Sequence, residues 1–413
     1  MKKKYLTAAA LTGVLGVALA GLTACSNGSS ADGGTETIVF QNQFSDAESA
    51  EAEKLVAEYE ADNPGVEITL QRDNDASYYD KLVTQITAGK GPDIVRLEPP
   101  KVSQYASSGF LAPIDEALGD DADYFANTLE AARLDGKTYG LPQDVSTLAL
   151  FYRTDLLAAA GIQTPPATWD ELKTDAVKLT GNGKYGIGLF GGWGAYEFYP
   201  WLWQAGAEVV NDDGTKAVFD SPEGVDALTF WTDLQATAMP PGMASATEDD
   251  VRGPFVNGDI AMFTSGPYMA STLTEAGLTP EQWGVAPLPK GKDEASVLGG
   301  MDLAVLQNSQ HKEAAIDFLA WFGSDDVQTT WASDLGYVPA KKSLYEAAPF
   351  STDPNTVTFG EIIENSRSRP TITRAADVDG ALGDAVAAGL SGSSSPADAM
   401  KAAAEKANAA ING

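Results

Sequence analysis

Six aromatic side chains fall within eleven residues: Trp193, Tyr196, Phe198, Tyr199, Trp201 and Trp203. Only 9% of the 413-residue chain is aromatic, so this segment is several-fold enriched. Two uses compete. A helix start facing a core would bury such residues, and Trp201 and Trp203 suit that role as well as a site. Gly191, Gly192 and Gly194 instead place Trp193 and Tyr196 in a loop. A loop aromatic left at the surface has a face to offer. The C–H faces of a pyranose ring pack on the electron-rich face of an indole or phenol. Hydroxyls at the ring edge then need directional carboxylates and amides. Aromatic platforms with Asp, Glu and Asn at strand ends are what a neutral polyol requires.

The parts for catalysis are scarce. His311 is the single histidine and Cys25 the single cysteine. Beside Gln310 and Lys312, His311 reads as a solvated residue at a helix start. Ser–His and Cys–His dyads therefore lack their usual parts, and no closed zinc set is present. A glycosidase needs two carboxylates, and 58 acidic residues offer many pairs, but abundance is no argument for one. Asp212-Asp213-Gly214 lacks the twelve-residue pattern of a calcium loop. Gly186, Gly188, Gly191 and Gly192 lack the strand–turn–helix setting of a nucleotide loop. No cofactor or metal is expected.

Cys25 has another use. Lys2, Lys3 and Lys4 precede an apolar run from Ala8 to Leu22, too short for an ordinary membrane span. The run ends in Leu22-Thr23-Ala24-Cys25, which resembles the lipobox of bacterial lipoproteins. Residues 1–24 then form a signal peptide, and Cys25 takes a diacylglyceryl group whose two chains suffice for stable anchoring. Residues 25–36, rich in Ser, Gly, Asn and Asp, form the tether. The expected location is the outer face of the cytoplasmic membrane, or its periplasmic side if the cell has an outer membrane. Without the leader, 24 basic residues face 58 acidic ones, a net charge of −34. Such a field repels nucleic acid and disfavours strongly anionic ligands.

The body must then hold a binding site. Thr37–Phe40 is β-prone, Ser45 or Asp46 can cap the helix carrying Leu55, Val56 and Tyr59, and Asn63-Pro64-Gly65 ends it. Val66, Ile68 and Leu70 alternate with polar residues, as in a strand. A helix with Leu82, Val83 and Ile86 follows, then the strand Ile94–Leu97. This β-α-β-α-β order predicts a parallel sheet covered by helices. A strand is expected over Thr147–Tyr152, a capping box at Thr168–Glu171 and a helix start at Ser221-Pro222. A mainly helical stretch spans about 155–280. A strand over Met301–Leu306, a helix over Lys312–Phe322 and a helical tail over Pro396–Ile411 complete the reading.

The chain resembles the extracellular solute-binding proteins of ABC importers, in the sugar-binding group that includes maltose-binding protein. The resemblance rests on pieces in a fixed order behind the lipobox. They are Phe40–Phe44, Gly91-Pro92-Asp93-Ile94, Gly109-Phe110-Leu111, Gly136–Pro142 and Phe151–Asp155, then Thr168–Leu172, Asn257–Met262, Gly266-Pro267-Tyr268 and Gly336–Ala340. It implies an α/β fold of two lobes joined by a hinge, with the ligand in an interlobe cleft that closes on binding. The implied N-terminal lobe is 37–143 plus 304–346, and the C-terminal lobe 144–303 plus 347–413. Crossings are implied near 142–146, 300–304 and 345–350.

Residues carried over from the resemblance are Asn42, Gln43 and Phe44 after the first strand, and Glu98 after the third. Asp144 and Ser146 match the hinge, and Trp193 and Tyr196 the aromatic loop. Tyr268 stands where sugar-binding members often have tryptophan, and Gly300 and Asp302 follow the returning strand. Asp93 fits a strand-organising role, and Arg367–Arg374 matches poorly. The implied partners are a carbohydrate, an oligosaccharide by preference, the permease subunits of an importer, and the bilayer through Cys25. The protein is expected as a monomer that does no chemistry on its ligand. The rival readings are the same fold binding a polyamine, a peptide or a chelated metal, a surface glycosidase, and a purely structural lipoprotein.

Overall fold

Two sheets of different make organise the described residues. The computed structural model describes residues 35–75 and 77–413. The leader, Cys25 and most of the tether lie outside the described residues.

β1 (Glu36–Asn42), a helix over Asp46–Asp62, β2 (Val66–Arg72), a helix over Tyr78–Thr87 and β3 (Ile94–Leu97) form the expected β-α-β-α-β run. β1 pairs in parallel with β2, from Glu36 with Val66 to Asn42 with Arg72, and with β3 through Phe40 and Ile94. Parallel neighbours cannot be joined by a tight turn, which is why a helix returns the chain each time. Ser45 starts the first helix with a capping box: its hydroxyl accepts the Glu48 N–H, and the Glu48 carboxylate accepts the Ser45 N–H at 2.7 Å. Asp93 plays the strand-organising part expected of it. Its two oxygens accept from the Val39 N–H at 2.8 Å and the Ser309 hydroxyl at 2.6 Å.

A small hairpin, β4 (Arg133–Leu134) with β5 (Lys137–Thr138), leads into β6 (Leu141–Thr147). The second sheet has three strands, β7 (Ala149–Tyr152) between β8 (Met262–Ser265) and β9 (Gly284–Ala286), all antiparallel. β10 (Ser296–Val305) and β11 (Ser366–Arg367) complete the larger sheet, whose order is β11-β10-β3-β1-β2 with β6 on β10. The expected strand over Thr147–Tyr152 is therefore two strands. The chain leaves the larger sheet at Thr147, passes Leu148 and enters the smaller one at Ala149. The returning strand starts at Ser296, earlier than Met301. Three hydroxyls tie this crossing: Thr147 donates to Ser296 at 2.9 Å and lies 2.7 Å from the Ser366 hydroxyl, and Ser296 donates to the Leu148 carbonyl at 2.7 Å.

The aromatic segment divides as its glycines suggest. Residues 192–198 form turns, and a short helix covers Tyr199–Gln204. Trp201 and Trp203 are core residues. Trp201 stacks on Phe230 at 5.8 Å and meets Trp231 edge-on at 6.0 Å. The helical tail, Pro396–Asn412, packs with Ala375–Leu390 and Pro222–Thr237.

Candidate functional site

Glu98 is the residue between β3 and the helix Pro99–Ser107, whose first two residues are prolines. Proline at the first helical turn lacks only an N–H that would go unused, so the chain turns sharply there. The Glu98 side chain accepts from the Tyr79 hydroxyl at 3.4 Å and from Arg369 Nη2 at 2.5 Å. Arg369 lies just beyond β11, and its guanidinium sits 5.3 Å above the Tyr196 ring, within cation–π range. Tyr196 lies 6.5 Å from Trp193, and Trp193 meets Phe190 edge-on at 5.1 Å. A row of side chains, Trp193–Tyr196–Arg369–Glu98–Tyr79, thus crosses from the turns beside the smaller sheet to the larger sheet. Trp193 is 37% exposed, which is unusual for tryptophan in this chain. The Tyr196 hydroxyl lies against Gly299, where a Cβ would come within 2.3 Å of it.

Two cavities share Glu98. One, of about 380 Å³, is lined by Gln43, Asn74, Asp75, Tyr79, Arg96, Glu98 and Met301. The other, of about 210 Å³, has Glu98, Lys101, Tyr199, Arg369 and Asp379 in its wall. A larger cavity, of about 440 Å³, lies elsewhere, between Pro165–Ala167, Ala286–Leu288 and the helix end at Glu361–Asn365. No aromatic residue lines it, so it lacks the stacking face a sugar needs.

The structure brings Gln43, Glu98, Trp193 and Tyr196 to this region. Ser146, half-buried on β6, pairs with Gly299 and so sits beside Tyr196. Tyr268 is half-buried, and its hydroxyl donates to Glu248 at 3.0 Å. Gly300 has φ +106, and a Cβ there would come within 2.3 Å of the Asp144 carbonyl, so glycine serves the close approach of β6 and β10.

Four expected contacts are corrected, because their side chains are enclosed. Asn42 closes a turn by accepting the Phe44 N–H at 3.1 Å. Phe44 packs against Phe40 and Trp331, each at 5.5 Å. Asp144 pairs with Arg96 at 3.3 Å. Asp302 is 2% exposed, with Oδ2 unpartnered. His311 is not simply solvated either: its Nδ1 lies 2.7 Å from a Glu36 carboxylate oxygen.

Arg96 organises this enclosed group. It donates to Glu48 at 2.6 Å, to Asp144 at 3.3 Å and to Gln143 Oε1 at 2.7 Å. Burial would raise Glu48, but the Arg96 charge and hydrogen bonds from Ser45 and Tyr337 hold it below its ordinary value. Burial pushes Asp144 up to about 6 despite Arg96, and Glu48 adds repulsion. Burial, with the Asp144 charge beside it, pushes Asp302 well above the usual carboxylate range. Glu197, wholly buried and donated to by Thr264, is raised well above it too, again by burial.

Arg369, Tyr79 and Asp379 belong to the candidate site and were not singled out from sequence. One signal was present for Arg369: Arg367, Arg369 and Arg374 fall close together in an otherwise acidic chain.

The bacterial extracellular solute-binding protein family matches residues 45–329 of this chain. A putative binding protein of Brucella abortus is 29% identical over 403 residues, covering 95% of this chain and 97% of its own. The maltotriose-binding protein of Pyrococcus abyssi is 29% identical over 354 residues, covering 82% of this chain and 74% of its own. Among solved structures, an ABC transporter solute-binding protein from Thermotoga lettingae bound with α-D-tagatose superposes with a TM-score of 0.80 at 30% identity, over 91% of this chain and 100% of that one. The GacH receptor of Streptomyces glaucescens, solved unliganded and with acarbose, gives a TM-score of 0.82 at 28% identity, over 92% and 99%. The chain accordingly shares the two-lobe architecture of these proteins, and the row from Trp193 to Tyr79 runs between its two sheets. This chain belongs to the bacterial extracellular solute-binding protein family.

Proposed function

We propose that the protein is the capture component of an ABC importer for a carbohydrate, held on the outer face of the membrane by a lipid on Cys25. The observation that carries this is the exposed face of Trp193 beside Tyr196, with the polar pair Glu98–Arg369 next in the row. The aromatic pair supplies an electron-rich stacking surface for the C–H face of a sugar ring. Gln43, Glu98, Arg369 and Asp379 supply donors and acceptors for ring hydroxyls. The relatives with recognised ligands support the reading, since those named above bind maltotriose, tagatose or acarbose.

Residues on both lobes surround the row, so a ligand bound there favours the closed arrangement. Only such differential contact can move an open–closed equilibrium. The closed form then docks on the permease as a monomer and releases its cargo unchanged. Direct contacts are assigned to Gln43, Glu98, Ser146, Trp193, Tyr196 and Arg369. Isothermal titration of the mature protein with mono- and oligosaccharides tests this. Binding of one sugar class without cleavage is the expected result; cleavage products, or binding of a polyamine or peptide in place of every sugar, would overturn it. The anchor has its own test: Cys25→Ser should abolish radiolabelled lipid incorporation, and undiminished labelling would contradict it.

A further inference from the structure

We propose that Glu98 and Arg369 form a charge-compensated pair that restricts the cleft to uncharged ligands, with Arg369 as the specificity-determining residue. The inference rests on the carbohydrate reading above. Arg369 is largely buried, its side chain 17% exposed. A guanidinium carries five N–H donors, yet Arg369 makes one side-chain hydrogen bond, to Glu98, and its Nε is buried without a partner. Acceptors near the pair are also unmet. Gln43 Oε1 and Asp379 Oδ1 are buried without partners, the first beside Glu98 in one cavity and the second beside Glu98 and Arg369 in the other.

One free donor and two free acceptors, spread over the two cavities that share Glu98, suit groups that both donate and accept. A hydroxyl does so. A carboxylate or phosphate only accepts, so it could serve Arg369 Nε but would leave Gln43 and Asp379 unmet and face Glu98. An ammonium only donates, so it would leave Nε unmet and face Arg369. Unmet polar groups in such a site cost more than the mean worth of a hydrogen bond.

Charge points the same way. Glu98 and Arg369 cancel each other at 2.5 Å. Arg96 is matched by Glu48 and Asp144, and Asp75 lies 3.3 Å from Lys81. Lys101 donates to Gln104 at 3.1 Å and overlies the Tyr79 ring at 5.0 Å. Lys101 and Asp379 add one charge of each sign to the wall that Glu98 and Arg369 share, so its charges sum to zero and a ligand charge of either sign would enter a partly buried site with no net counter-charge.

The test is titration of the mature protein with glucose, galactose, maltose and maltotriose, with glucuronate and galacturonate as anionic probes and glucosamine as the cationic one. The wild type should prefer its neutral sugar over the uronates by about a hundredfold or more. Glu98→Gln removes the ion-pair partner of Arg369 and should shrink that preference by about tenfold or more. Arg369→Gln should do the reverse, weakening the neutral sugar by about tenfold and raising the relative affinity for glucosamine. The two variants move selectivity in opposite directions, so either one that folds tests the pair. Unchanged neutral-to-charged ratios in a folded variant would overturn the inference while leaving sugar capture intact. A wild type that binds uronates as well as neutral sugars would do the same. Binding of none of these sugars would overturn both this inference and the carbohydrate reading.

Discussion

Arg96 and Arg369 each hold a carboxylate, but their surroundings differ. Arg96 is enclosed by Glu48, Asp144 and Gln143, with its side chain 6% exposed and none of its nitrogens left buried without a partner. Arg369 has one carboxylate, a half-exposed one, and keeps a buried nitrogen unpaired. A closed network fixes shape, because every member is spoken for. An open one keeps capacity for something that is not protein. The same pair of residue types therefore builds scaffold on β3 and, in the function proposed above, recognition beside Tyr196.

That contrast can be broken by substitution. Arg96→Met strands Glu48 and Asp144 as buried charges and should cost about 3–5 kcal/mol of stability in urea unfolding. Arg369→Gln should cost about 1 kcal/mol or less, since its partner Glu98 reaches solvent. Equal costs would remove the distinction.

The pH dependence sharpens it. Asp144, raised to about 6, and Asp302 and Glu197, raised well above the usual carboxylate range by burial, hold protons in the folded state that the unfolded chain has already lost. Stability should therefore fall as pH rises from about 4 through 6 and beyond. Glu48 acts oppositely: its contribution is present at neutral pH and is lost only as pH falls through its lowered folded value. Asp302→Asn should raise stability at pH 8 by on the order of 1–3 kcal/mol and by less at pH 5. An equal effect at both would show that Asp302 carries no pH-dependent cost.

On the cleft side, Trp193→Ala should weaken sugar binding by more than about tenfold, ~1.4 kcal/mol, read by titration. Unchanged affinity would remove Trp193 from the site. Smaller still, Gly299→Ala forces the end of Tyr196 aside and should weaken binding severalfold; a variant binding like the wild type would show that Tyr196 need not rest on this strand.

Local signals carried much of the fold. Val66, Ile68 and Leu70 alternate because one face of β2 is buried, and Ser45 with Glu48 marks a helix start within four residues. Glycines around Trp193 showed that half of the aromatic segment turns, while Trp201 and Trp203 could not be assigned until their neighbours were known. The errors came from charge and distance. Asp144, matched to the hinge, and Asp302, matched to the returning strand, read as ligand contacts because their burial has no local trace: Arg96, the partner of Asp144, is 48 residues away. Arg369 was illegible for the same reason at greater range: its partner is 271 residues away, and Ser366–Arg374 has no periodicity that would place it.

The most direct test of sugar capture by this cleft is a thermal-shift screen of the protein lacking residues 1–25, against mono- and oligosaccharides, amino acids and polyamines. A ligand that binds only the folded state raises the melting temperature as its concentration exceeds Kd. The account predicts a shift from one class of neutral sugar, abolished by Trp193→Ala, with the sugar recovered intact. A shift from a polyamine or amino acid alone, with none from any sugar, would contradict it.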